Sequence, residues 1–206
     1  MTQHTTDPAA YIRAHLRLGP LMALPDIVLY AAHPGSRLSR LTGAAPYWAY
    51  AWAGGMALAR HFRAHPELVA NRRVLDLGAG SGLVGIVVAK LGAQVSAAEI
   101  DPHGRAAIGL NAAANGVSVA LTDIDIERPA PEGFDLIAAG DVFYDGDVAE
   151  RMLPFLQRCQ AAGIDVLIGD PERRDLPVVE LERVASYAVA DVGDKAERTG
   201  SVYRLR

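Results

Sequence analysis

Residues 74–85 read VLDLGAGSGLVG. A short apolar run is broken only by Asp76, and Gly78, Gly80, Gly82 and Gly85 follow. This is the pattern of a buried parallel strand feeding a loop whose backbone turns sharply and approaches a ligand. Two spacings overlap in it. Gly80, Gly82 and Gly85 fit the G-x-G-x-x-G of a dinucleotide site, whereas Asp76, Gly78, Gly80 and Gly82 fit D-x-G-x-G-x-G. The glycines serve either cofactor class, so Asp76 decides. Helix N-terminal amides hold a pyrophosphate, and a carboxylate in the same loop would repel it by several kcal/mol where solvent is scarce.

A cofactor carrying a cation is attracted instead. S-adenosylmethionine (SAM) has a sulfonium and an α-ammonium group, and its carboxylate can use the amides of the Gly78–Gly82 loop, Ala79 included. Glu99 ends the next strand, where an acid accepts hydrogen bonds from both ribose hydroxyls, with Ile100 beside it. Asp123, ending the third strand, is placed to accept from the adenine amino group, with Asp125 as the alternative.

Outward from this stretch the pattern alternates. RRVLDLG is followed by the helical SGLVGIVVAKLG, AQVSAAEI by a helix ending at Asn115-Gly116, and VSVALTD and FDLIAAGD give a third and fourth strand. A helix over residues 147–163, kinked or started late by Pro154, leads to a fifth strand, IDVLIGD. After a further helix, SYAVADV and SVYRLR flank the polar GDKAERTG and read as an antiparallel pair. Upstream, Asp7-Pro8 starts a short helix over 8–18, residues 19–46 with four prolines read as irregular, and residues 47–67 read as helix. The expectation is one α/β domain over 1–206: a doubly wound, Rossmann-like seven-stranded sheet, mostly parallel with an antiparallel last strand. It carries a short N-terminal helical extension (1–46) on a SAM-binding core (47–206).

Composition narrows the function. Half of the 206 residues are hydrophobic, and the net charge of −4 gives no footprint for nucleic acid. Cys159 stands alone, so no disulfide or cysteine-based metal site forms within the chain. His61 and His65 have helical spacing but no third ligand, and no metal is expected. No apolar run suits a signal peptide or a membrane span. A cytoplasmic monomer is expected.

The constellation VLDLGAGSGLVG with AAEIDP and the C-terminal antiparallel pair resembles the class I SAM-dependent methyltransferases. The acceptor side should lie beyond the fourth strand, where the chain reads GDVFYD (140–145) and lacks the D/N-P-P-Y of adenine and glutamine methyltransferases. With PYWAYAWAGGMALAR, GDPERRDLP and PDIVLYAA, it resembles the lysine methyltransferases of the electron-transfer flavoprotein β subunit, although Asp26 stands where that family has Glu. The resemblance spans about residues 25–177 and implies methylation of lysine ε-amines of that flavoprotein, with S-adenosylhomocysteine (SAH) as the other product. A ribosomal protein or a small amine is the alternative acceptor.

The residues themselves offer matching chemistry. Asp141 can hold an incoming ammonium and then accept from the amine, and Tyr144 can offer a ring or hydroxyl to a cation. Either could instead cap the helix beginning near Asp147. Trp52 is expected on the cofactor and Trp48 in the core. Asp170 and Arg173 either touch the substrate or form a salt bridge at the rim. Arg72–Arg73 and Arg173–Arg174 read as solvated surface pairs.

Overall fold

A computed structural model of the chain describes residues 7–36, 38, 45–190 and 197–206. Its elements run α1 (Pro8–His15), β1 (Arg17–Leu21), β2 (Leu24–Ala31), α2 (Ala53–Ala64), β3 (Arg73–Leu77), α3 (Leu83–Lys90), β4 (Gln94–Ala98) and α4 (Pro102–Ala114), followed by β5 (Ala120–Thr122), β6 (Leu136–Gly140), α5 (Gly146–Ala161), β7 (Asp165–Asp170), β8 (Leu181–Ala190) and β9 (Glu197–Leu205). Strands β3 to β9 form one sheet in the order β5-β4-β3-β6-β7-β9-β8, parallel from β5 to β7, with β9 antiparallel to both neighbours. The order reverses at β3, so the crevice beside its carboxyl end is where such a sheet binds ligands. Among the described residues no helix is long and apolar enough to cross a membrane.

Strand alternation assigns the faces. Val74, Leu136 and Ala138 pack under α2 and α3, whereas Leu75, Leu77, Ile137 and Ala139 pack against α5. Asp76 shares a face with Val74, and its carboxylate therefore meets the start of α3 rather than solvent. Asp7 and Asp101 accept from Ala9 and His103 two residues on, each ahead of a proline at the first helical position.

Several expectations are corrected. The first helix stops at His15, and residues 17–31 form a hairpin. Pro20 and Pro25 sit in it because, among the described residues, its strands pair only with each other, leaving amides that need no ladder partner. Side chains supply partners for β2 instead: Asn111 Oδ1 accepts from the Tyr30 amide at 2.8 Å, and Asn115 brackets Val28. The helix expected over 47–67 is a 3-10 turn at Tyr47–Ala49, an extended link, and α2 from Ala53. The break turns Trp48 inward to stack on His103, with ring centroids 5.4 Å apart. The third strand shrinks to Ala120–Thr122. No helix follows β7: Pro177 and two valines allow only a 3-10 turn at Val178–Glu180 before β8 begins. Helix α5 starts at its cap Asp145, upstream of Pro154, which it carries in its interior. Of the GDKAERTG turn, residues 193–196 lie outside the described residues and 197–200 belong to β9.

Candidate active site

The glycine loop leaves β3 through Gly78, Gly80 and Gly82, all at positive φ (67°, 52° and 79°), a conformation that a side chain would strain. Below it, Asp76 Oδ2 accepts from the Gly85 amide at 2.8 Å. Burial, reinforced by the charge of Glu99, pushes the Asp76 carboxyl up to about 7. Glu99 closes the loop from the β4 side. Its Oε2 accepts from Gly80 N at 2.8 Å and its Oε1 from Asp101 N at 2.9 Å. Gly104 of α4 makes room for this arrangement, since a Cβ there would lie 2.6 Å from Glu99 Cγ.

The other wall is built where α2 begins. Gly54 presses against Gly169 of β7 so closely that a Cβ on either would overlap the other's backbone, and Gly140 of β6 lies against Gly55. That approach sets the Gly55 amide 2.9 Å from Asp141 Oδ2. Asp141 follows β6 in a left-handed conformation (φ 56°), and its side chain is only 10% exposed. Its Oδ1 accepts from Arg173 at 2.6 Å (Nη2) and 3.2 Å (Nε). The Arg173 guanidinium also lies 5.6 Å from the ring centre of Trp52.

One cleft brings Trp52, Asp76, the loop from Gly78 to Ser81, and Asp141 together, with Tyr50 completing its wall. Tyr144 is 47% exposed, and its ring lies 5.3 Å from that of Tyr47. Burial raises the Tyr144 hydroxyl above its ordinary range, so it stays protonated. Asp145 caps α5, which leaves Asp141 and Tyr144 out of that task. Asp170 is fully buried, and its Oδ1 accepts from the Arg173 amide at 2.6 Å. Arg173 thus meets Asp170 through its backbone and Asp141 through its side chain. Burial and the negative charge of Asp141 push the Asp170 carboxyl up to about 6.

Two expected cofactor residues sit apart from the cleft wall. Ile100 is 92% exposed on the surface. Asp123 is 91% exposed and paired with Arg105 at 2.8 Å, and the same guanidinium reaches the Glu99 carbonyl at 3.2 Å. Arg72 and Arg73 are spent on surface pairs with Asp165 and Asp135. His61 Nδ1 lies 2.9 Å from the Tyr187 hydroxyl. Sequence reasoning missed Gly54–Gly55, Gly140, Gly169, Tyr47, Tyr50 and Arg105. The signal for the first was a glycine pair at the head of an otherwise helical pattern.

These residues fit SAM and not a dinucleotide. A buried carboxylate under the loop favours a cation, amides of the loop can take a carboxylate, and Glu99 stands where a diol would lie. The sheet order and this loop define the SAM-dependent class I methyltransferase fold. Solved structures agree at the level of fold. A magnesium protoporphyrin IX methyltransferase from Synechocystis PCC 6803 with bound SAM matches at TM-score 0.55 and 14% identity, over 74% of this chain and 78% of that one. A tRNA (uracil-54, C5)-methyltransferase from Pyrococcus abyssi in complex with SAH matches at 0.51 and 19%, over 72% and 38%.

The chain belongs to the lysine methyltransferase family, whose model matches residues 46–183. It is 42% identical over 131 residues to the electron transfer flavoprotein beta subunit lysine methyltransferase of Rattus norvegicus, covering 62% of this chain and 51% of that protein. The Danio rerio counterpart is 43% identical over 132 residues with the same coverage. A ribosomal protein L11 methyltransferase of Geobacter sulfurreducens is 34% identical over 138 residues, covering 64% and 44%. The chain thus spans about half the length of these curated relatives.

Proposed function

We propose that the chain is a SAM-dependent protein-lysine N-methyltransferase acting on the β subunit of electron-transfer flavoprotein. The observation that carries this reading is the near-buried Asp141 carboxylate at the rim of the cofactor cleft, which Trp52 also lines. A carboxylate beside aromatic faces is a receptor for an alkylammonium. The similarity to the flavoprotein β-subunit enzymes supports the choice of acceptor.

Asp76, the Gly78–Gly82 loop with Ala79, Glu99 and Trp52 hold the cofactor in this reading, with Ile100 and Asp123 at its outer edge. Bound there, SAM supplies a methyl group on a sulfonium, which keeps the bonding electrons when an amine lone pair takes the carbon. Asp141 draws in the ε-ammonium and, once its proton has passed to water, accepts a hydrogen bond that orients the lone pair. The partial burial of the site and a neighbouring cation both lower the amine pKa from its usual value of about 10.4. Tyr144, protonated, gives the arriving side chain a ring face and a donor. Positioning can supply roughly 7–11 kcal/mol of the barrier reduction, so a strong base is not needed.

Tritium transfer from labelled SAM to purified flavoprotein β subunit tests the assignment. Label in that subunit, with none in ribosomal protein L11 or in the small-molecule fraction, is the expected result. Label in L11 alone would give the alternative acceptor its place.

A further inference from the structure

Asp141 is not waiting for a substrate cation; it already holds one. We infer that Arg173 occupies the position of the acceptor ammonium, so that an alkylammonium must displace an internal competitor to reach the site. This inference rests on the lysine-acceptor reading given above.

Arg173 makes the contacts that an alkylammonium would need. Both contacting nitrogens converge on Asp141 Oδ1, and the guanidinium carbon sits over the Trp52 ring at 5.6 Å. Next to Trp52, Tyr47 lies 5.8 Å from it and 5.3 Å from Tyr144, ring centre to ring centre. Each of these tyrosines is 47% exposed, which opens the site to a side chain arriving from outside.

The resident cation is held so that it can be displaced. Arg173 is tied at its amide to the buried Asp170, and the preceding Glu172 is in a left-handed conformation (φ 65°). Its backbone is therefore held by Asp170, while its side chain is 24% exposed to solvent. Such backbone strain, also present at Asp141, clusters at functional positions. Behind Arg173, Asp170 Oδ2 is a buried oxygen without a hydrogen-bond partner. Guanidinium is also a safe placeholder, because it stays protonated and offers no amine lone pair to the cofactor.

A competitor lowers the apparent affinity by the fraction of molecules in which it has vacated the site. For a partly exposed ion pair this fraction corresponds to a loss of up to about fivefold. The test titrates the SAH-saturated chain with n-butylammonium, follows tryptophan fluorescence, and compares wild type with Arg173→Ala and Arg173→Gln. Both variants keep the backbone amide that donates a hydrogen bond to Asp170, and circular dichroism checks their fold.

Butylammonium binding several-fold tighter in the variants is expected, and Asp141→Asn should abolish that gain. Equal or weaker binding would overturn the inference and make Arg173 a positioning residue for Asp141. In parallel, the KM for the flavoprotein β subunit should fall in Arg173→Ala, and a rise would also count against the inference. Should the wild type label no flavoprotein, the acceptor assignment fails while the butylammonium arm still decides the role of Arg173.

Discussion

The two ends of the cleft handle negative charge in opposite ways. At the carboxyl ends of β3 and β4, Asp76 and Glu99 accept from backbone amides of Gly85, Gly80 and Asp101. At the ends of β6 and β7, Asp141 accepts from the Gly55 amide and from the guanidinium of Arg173. Backbone amides are fixed in place and cannot leave. A side-chain cation can. In the reading proposed above, the first end is thus a preformed receptor and the second an exchangeable one.

This contrast predicts that the two ends fail separately. Asp141→Ala should cost the largest factor, about 10²–10³ in kcat/KM for tritium transfer, the range for removing a preorganised electrostatic contact at a reacting centre. Calorimetry should find its SAH affinity within a few-fold of wild type. A parallel loss of SAH binding would mean that the ends are one unit. Glu99→Ala should do the converse, raising the Kd for SAH about 10- to 100-fold through lost charged hydrogen bonds. Glu99→Gln, which retains an acceptor for the Gly80 amide, should fall between.

Asp76 makes the receptor end sensitive to pH. Its carboxyl is raised from an ordinary value of 3.8 to about 7, so the folded chain binds the proton more tightly than the unfolded one. The resulting stabilisation is complete below the unfolded value and is lost as pH rises through 7. Between pH 6 and pH 8 the loss is on the order of 1 kcal/mol, a shift of a few degrees in Tm for a chain of this size. Asp170, raised to about 6, has the same sign mainly below that window. His61, whose pKa burial lowers, has the opposite sign on the acid side. Asp76→Asn isolates the effect: its Tm should change less than that of wild type between the two pH values, and it should bind SAH poorly at both. SAH carries an ammonium that favours the ionised Asp76, so wild-type affinity should rise across the same window. A flat pH profile would remove the cation-receptor role of Asp76.

The receptor end was legible in the sequence because its contacts are local. Asp76 and Gly85 are nine residues apart, and Glu99 reaches Gly80 over nineteen. One strand–loop–helix unit writes its own spacing. The exchangeable end is assembled from far separations: 86 residues between Gly55 and Asp141, and 32 between Asp141 and Arg173. Asp141, Arg173 and Tyr144 could be named as candidates, but neither the ion pair nor the Gly54–Gly169 contact that positions it has a local signal. The same limit hid the hairpin. Its prolines look like loop residues unless one knows that, among the described residues, its strands join no larger sheet, and the asparagines that satisfy β2 lie on α4 (Asn111) and at its C-cap (Asn115). Trp48 and Trp52 have helical spacing, yet the pull of the His103 stack and the cleft wall separates them into a buried and a rim residue.

The smallest effect is expected at Asp123. Its carboxylate is 91% exposed and already faces Arg105, so a hydrogen bond from adenine would be made in competition with water and with that guanidinium. Exposed pairs of this kind contribute about 0–1 kcal/mol, and Asp123→Ala should therefore weaken SAH binding by no more than about fivefold. Asp125 is occupied differently, accepting from the Glu127 amide at 3.0 Å and pairing with Arg128 at 3.4 Å, which makes it a turn residue. Asp125→Ala should leave SAH affinity unchanged. Calorimetry on the two variants sharpens the boundary of the receptor end. A loss at Asp125 greater than at Asp123 would move the adenine contact one turn along the chain, and a tenfold loss at Asp123 would mean that Arg105 releases it when the cofactor binds. In that event the receptor end, too, would contain an exchangeable ion pair, and the contrast between the two ends would rest on Asp76 and Glu99 alone.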